Sequence, residues 1–145
     1  MRILVTLASL MFFSIQTYAC SCMSLDVKEA YKEYEVVFIG RVAQLSRKVS
    51  NSKYIFPNEV VKAKFEISKV YKGSIEDSFN LVTHSCSAIC GFPFESGVEY
   101  AVFAHFDKYE NEYAVNLCSP TVRTQVKNGY FDERNSRVME FLNSM

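Results

Sequence analysis

Five cysteines are the residues of this chain best able to do chemistry: Cys20, Cys22, Cys86, Cys90 and Cys118. Thiols pair into disulfides in an oxidising compartment and bind soft metals as thiolates in a reducing one. If they pair, one is left over, and the choices of leftover and pairing allow about fifteen connectivities. Spacing alone selects none of them. If they ligate, Cys20, Cys22, Cys86 and Cys90 with His84 nearby could surround a zinc ion. Cys20-Ser21-Cys22 is a poor spacing for that, because structural zinc sites prefer two to four residues between the first cysteines. His84 and His105 stand apart, and no Ser/His/Asp arrangement surrounds them. His105 alternates with Phe103 near the end of an expected strand, an ordinary place for an exposed or hydrogen-bonded side chain. The acid pairs Glu76-Asp77 and Asp132-Glu133 read as solvated turns, and there is no Gly-rich phosphate loop. With no catalytic constellation, an enzyme is not expected, and neither is a cofactor.

The N-terminus decides the compartment. Met1-Arg2 is a short positive head, Ile3 to Ile15 is a nearly continuous apolar run, and Thr17-Tyr18-Ala19 offers small residues where a signal peptidase reads. Residues 1–19 are therefore expected to be a secretory signal peptide, cleaved after Ala19. The run is shorter than the roughly 20 residues of a membrane span. A lipidated Cys20 would ordinarily follow a leucine three residues before it, where this chain has Thr17. The mature chain, 20–145, is expected to be secreted or periplasmic, with no membrane contact after signal cleavage. In that setting cysteines read as disulfides first.

The elements that must hold these cysteines follow from pattern. Hydrophobic residues make up 49% and charged residues 22%, the balance of a folded domain, not of a disordered chain. The 16 basic and 16 acidic residues cancel, which argues against a nucleic-acid partner. Ser24 is a suitable helix N-cap, with Asp26 in the first turn and a short helix expected through about Tyr34. Glu35–Ala43 is dense in β-branched and aromatic residues and reads as a strand, with Gly40 marking a bulge or bend. Ser46–Asn58 is polar, a long loop or flared hairpin tip. Val60–Val70 alternates apolar and polar as a half-buried strand does. Ser78–Thr83, Glu99–Phe106 and Glu112–Cys118 supply three more strands. The turns are Lys72-Gly73-Ser74, a cysteine-bearing loop from His84 to Gly97, and Asp107–Asn111. Asp132–Met145 is expected to be helical, with Val138, Phe141 and Leu142 as its docking stripe. Five strands with a helix at each end suggest a small curled barrel, although a flat sandwich has the same count. In a barrel, Phe38, Val42, Phe65, Ile67, Leu81, Val102 and Val115 would point inward. The aromatics Tyr54, Phe56, Tyr71, Phe92 and Phe94 are expected to be core and loop plugs more than a stacking platform.

Several of these segments resemble, in order, the tissue inhibitors of metalloproteinases. They are Cys20-Ser21-Cys22 at the expected mature start, Glu29-Ala30-Tyr31 with Glu35-Val36-Val37, Phe65-Glu66-Ile67 with Tyr71-Lys72-Gly73, Ile89-Cys90-Gly91, Glu99-Tyr100-Ala101-Val102 and Asn116-Leu117-Cys118. The resemblance covers about Cys20 to Pro120. It implies a mainly β, five-stranded OB-fold-like (netrin-like) closed barrel with an N-terminal and a C-terminal helix. It also implies disulfides Cys20–Cys90 and Cys22–Cys118, with Cys86 left over. The third bridge of the animal inhibitors has no counterpart, since Lys32 stands where its first cysteine would be. Their disulfide-rich second half is missing too, so the chain looks like a minimal, single-domain relative of the bacterial sort.

The function implied is inhibition of a zinc metalloprotease through the protease's own zinc. The α-amine and carbonyl oxygen of a mature Cys20 would chelate that metal, and Ser21 would enter the specificity pocket. Cys22, Met23 and Ser24 would extend along one side of the cleft, and Ser87, Ala88 and Ile89 would form the other side of the ridge. The other reading is a netrin-like interaction module whose cysteines are only structural staples.

Overall fold

A computed structural model of the chain describes residues 20–23, 26–52, 59–125 and 132–145. The expected signal peptide, Ser24 with its capping and ridge roles, and Tyr54 and Phe56 lie outside the described residues.

Two strands of 14 residues, β1 (Val36–Val49) and β2 (Glu59–Lys72), pair antiparallel from Val37↔Lys72 to Val49↔Glu59. β3 (Ser78–His84) follows β2 antiparallel. β4 (Glu99–Asp107) turns into β5 (Glu112–Ala114), which touches β3 in parallel at Val82↔Ala114. The order β1-β2-β3-β5-β4 closes because β4 also pairs β1, from Val36↔Ala104 to Arg41↔Glu99. This five-stranded ring has the OB-fold arrangement, so the barrel holds and the flat sandwich does not. Gly40 makes the closure possible. The β1–β2 register shifts between Ile39 and Gly40, and a Cβ there would lie 2.9 Å from the Glu66 carbonyl and 3.1 Å from the Phe38 ring. Only glycine lets the two backbones approach so closely at the bend.

The barrel interior is filled by Phe38, Val42, Phe65, Leu81, Val102 and Val115 with Phe94 and Tyr100. Its rings meet edge to face, Phe38–Phe65 at 5.4 Å and Phe94–Tyr100 at 5.1 Å between centroids. Ile67, expected inside, is only half-buried. Its cross-strand partner is Gly40, which has no side chain to cover it. The outer face of β1 and β4 is covered as well. Helix α1 (Val27–Glu33) and helix α2 (Glu133–Asn143) bury Val37, Ala101, Phe103, Val138 and Leu142 in a second layer. Phe141 packs there edge to face on Tyr31, 5.6 Å away. Burial on both faces is why Val36–Phe38 and Tyr100–Ala104 read as continuous apolar runs.

The structure differs from expectation at several element ends. β1 runs on to Val49 through residues read as loop; β2 supplies the ladder, and Ser46 and Arg47 stay exposed. β5 stops at Ala114 instead of Cys118: Val115 N–H still reaches the Val82 carbonyl (3.0 Å), then Asn116 bridges to Gly91 and the chain turns. A two-residue strand, β6 (Val122–Arg123), adds to β4. Asp26 sits at the N-cap of α1 without capping through its side chain. Asp132 and Glu133 are exposed, as expected, but they open a helix instead of a turn: the Asp132 carboxylate accepts the Arg134 N–H and caps α2. Glu76 and Asp77 are exposed between strands, as expected. Among the described residues, no helix is long and apolar enough to cross a membrane.

Candidate functional site

The connector between β3 and β4 is built to present a short exposed turn. Ser87–Ile89 form one 3-10 turn. The Cys86 carbonyl accepts the N–H groups of Ile89 (3.3 Å) and Gly91 (2.9 Å), and the Ser87 carbonyl accepts that of Cys90 (3.1 Å). Cys90 closes the turn in the left-handed region, at φ 63°. The chain then folds back so tightly that a Cβ on Gly91 would lie 2.2 Å from the His84 carbonyl oxygen and 2.7 Å from that of Cys86. The Leu117 N–H donates to the Cys90 carbonyl at 2.7 Å, which ties this connector to the segment after β5. There the Asn116 side-chain oxygen accepts the Cys118 N–H at 3.0 Å. Thr83 completes the support by accepting the Phe92 N–H at 2.7 Å.

The first described residues are bonded onto these two turns. Cys20 is disulfide-bonded to Cys90 and Cys22 to Cys118, with Cα–Cα separations of 5.5 and 5.1 Å. Cys86 is free and half-buried. This is the connectivity that the resemblance implies. The sulfurs of Cys20 and Cys118 are 3.9 Å apart, so the two bridges lie side by side. Cys20, Cys22 and Cys118 therefore cluster with their sulfurs within 4.8 Å of one another. A sulfur in a disulfide is not a thiolate, so this cluster is two adjacent bridges, and the reading of an internal zinc site made from Cys20, Cys22, Cys86, Cys90 and His84 is replaced.

The result is a double strip. Ser21, Cys22 and Met23 are exposed, Met23 at 85%, while Cys20 is half-buried beneath its bond to Cys90. Across that bond stand the exposed Ser87 and Ala88 and the half-buried Ile89. Chain segments some seventy positions apart are thus held next to each other by covalent bonds and by a backbone that only glycine permits at position 91.

Other candidates resolve differently. Phe94 is buried in the core and Phe92 and Tyr71 pack against apolar clusters, as plugs. The His105 ring packs against Tyr34 at 6.1 Å. His84 Nδ1 is buried and, among the described residues, has no hydrogen-bond partner. Sequence reading missed the cleft beside the connector, a cavity of about 320 Å³ between Leu45, Arg47 and Val61 on one wall and Ser85, Phe92 and Pro93 on the other. It also missed Glu110, read as part of a polar turn and found buried. Nothing in local pattern separates that carboxylate from its exposed neighbours.

The sequence likeness extends beyond single motifs. The family model described as tissue inhibitor of metalloproteinase matches residues 18–126, from just before the first cysteine to just past β6. The chain therefore belongs to the tissue inhibitor of metalloproteinase family, a family of inhibitors. No curated protein matches the chain.

Proposed function

We propose that residues 1–19 are removed on export and that the processed chain inhibits a zinc metalloprotease with its new N-terminus. The observation that carries this reading is the bond from Cys20 to Cys90, beside an exposed 3-10 turn, in a chain of this family. After cleavage, the α-amine and carbonyl oxygen of Cys20 form a five-membered chelate on the protease's catalytic zinc. Such a zinc keeps three protein ligands and one open position filled by water. Taking that position removes the nucleophile that the protease needs. Ser21 faces the specificity pocket, where its small side chain permits breadth of targets. Met23 continues along the cleft with Ser24, and Ser87, Ala88 and Ile89 line the opposite side.

The tether supplies the affinity that a free peptide lacks. A peptide beginning Cys-Ser-Cys would lose conformational freedom on binding, whereas a strip fixed by two disulfides has lost it already. Zinc takes the neutral amine, whose unperturbed pKa is about 7.7–8.0, so inhibition weakens roughly tenfold per pH unit in acid.

The test is titration of the exported, processed protein against a panel of zinc metalloproteases, with its intact mass recorded. The expected result is a mass beginning at Cys20 with two disulfides, and inhibition of at least one protease. A correctly processed, bridged protein that inhibits none of them favours the interaction-module reading, in which the bridges only stabilise the barrel.

A further inference from the structure

We propose that the outer edge of β1, from Leu45 to Val49, is a docking site for an extended, acidic segment of a partner protein, which joins the sheet there as a further strand. The site shares no residue with the ridge, so it goes beyond the inhibitory reading and does not rest on it. A strand bonds its two neighbours on alternate residues. In β2 the odd-numbered residues bond toward β3: the Ile67 N–H donates to the Asp77 carbonyl at 2.9 Å, and the pairing from Phe65↔Phe79 to Val61↔Thr83 continues without a shift. The residues of β2 that bond β1 are therefore Lys64, Lys62 and Val60, opposite Gln44, Ser46 and Lys48. Leu45, Arg47 and Val49, opposite Ala63, Val61 and Glu59, turn their N–H and C=O groups away from β2. On that outer side β4 ends its pairing at Arg41, and the last bonds join Val42 to Val98 and Gly97. Among the described residues, nothing takes the outward main-chain groups of Leu45, Arg47 and Val49.

A row of alternating main-chain donors and acceptors is the template that another extended chain matches. Across from this edge lies the 320 Å³ cleft, not a strand. Leu45 and Arg47 line the cleft from β1, with Val61 on the same wall and Phe92, Pro93 and Phe94 opposite. A strand laid on the edge sets alternate side chains beside Leu45 and Arg47, over those apolar walls. Charge selects the partner. β1 carries Arg41, Arg47 and Lys48 and no acid. Among the described residues, no carboxylate lines the cleft. Arg47 pairs with Glu59 at 3.4 Å, but the two side chains are 74% and 47% exposed, and such a pair is weakly held. A second copy of this chain would bring β1 against β1 and cations against cations, whereas an acidic segment meets them with the opposite charge.

The test titrates the processed protein with a capped hexapeptide of alternating valine and glutamate, followed by amide NMR shifts and amide exchange. The expected result is saturable shifts and slowed exchange at Leu45, Arg47 and Val49, with β4 and β5 unchanged. A counterpart peptide with lysine in place of glutamate should not bind. Arg47→Glu should weaken binding by about fivefold, since an attraction becomes a repulsion at an exposed site. Arg47→Pro removes one outward N–H but no bond to β2, as proline does on a sheet edge, and should weaken it further. Should R47P not fold, R47E carries the same readout. Absence of shifts at the three outward amides overturns the docking site. Equal binding of the lysine peptide overturns the acidic partner. Shifts at the same amides that grow with protein concentration alone overturn it in favour of a second copy. Inhibition plays no part in these readouts, so they decide the edge whether or not any protease is inhibited.

Discussion

The two bridges are not independent staples, and their linkage has a measurable consequence. Cys20–Cys90 spans 70 residues and Cys22–Cys118 spans 96. Alone, loops of those lengths are worth about 4.4 and about 4.7 kcal/mol by chain entropy. The bridges share a root, however. With either in place, the other closes only the 2 residues from Cys20 to Cys22 and the 28 from Cys90 to Cys118. That is a loop of about 30 residues, worth about 3.6 kcal/mol. Cys20→Ser with Cys90→Ser, and Cys22→Ser with Cys118→Ser, should therefore each cost about 3.6 kcal/mol in spite of their different spans. Removing both should cost about 8 kcal/mol, about 1 more than the single losses added, and enough to unfold many domains outright. Urea unfolding followed by circular dichroism measures this, with Cys86→Ser in every variant to prevent exchange. A loss under about 1 kcal/mol for either pair, or single losses that differ by more than about 2, would refute the linked-loop reasoning.

Further outcomes follow from contacts in the barrel and connector. Gly91→Ala should cost about 3 kcal/mol in the same unfolding assay, because its Cβ would meet two backbone carbonyls that cannot withdraw independently. Burial pushes the Glu112 carboxyl up, but Lys48 and Lys62 outweigh it and hold the group below its ordinary range. A carboxylate held down in this way stabilises the fold above its unfolded pKa and stops doing so as pH falls through the folded one. Glu112→Gln should thus cost stability at neutral pH, and the gap to the unmodified protein should close below about pH 4, as acid unfolding curves would show. Thr83→Val should lower stability by about 1 kcal/mol, since it leaves the part-buried Phe92 N–H without its acceptor.

The strands and helices were legible because their physics is local, whereas closure into a barrel rests on the distant β1–β4 pairing and came from resemblance. Alternation in Val60–Val70, the bend at Gly40 and the stripe Val138–Leu142 each follow from one element meeting one core. Ile67 was misjudged because its burial depends on the residue across the strand, and that residue is glycine. β1 was drawn too short because Arg47 and Lys48 look like loop residues; only the partner strand makes them part of a ladder. The cysteine pairing was beyond spacing arithmetic and came from resemblance, since Cys20 and Cys90 become neighbours only after the barrel closes. Glu110 was invisible for the same reason: its partners Ser50 and Asn51 lie some sixty positions away. Long-range pairing of polar groups leaves no periodic trace in a sequence.

The most direct test of zinc chelation by the N-terminus is one added residue before Cys20. The addition converts the α-amine to an amide, which does not bind zinc, and places bulk where the protease's water was. Both bridges lie downstream of it, so the urea midpoint should stay put. The processed protein, its one-residue extension and a panel of zinc proteases suffice. Chelation predicts that the processed form inhibits and that the extended form, equally stable and fully bridged, does not. Equal inhibition by the two forms would contradict it.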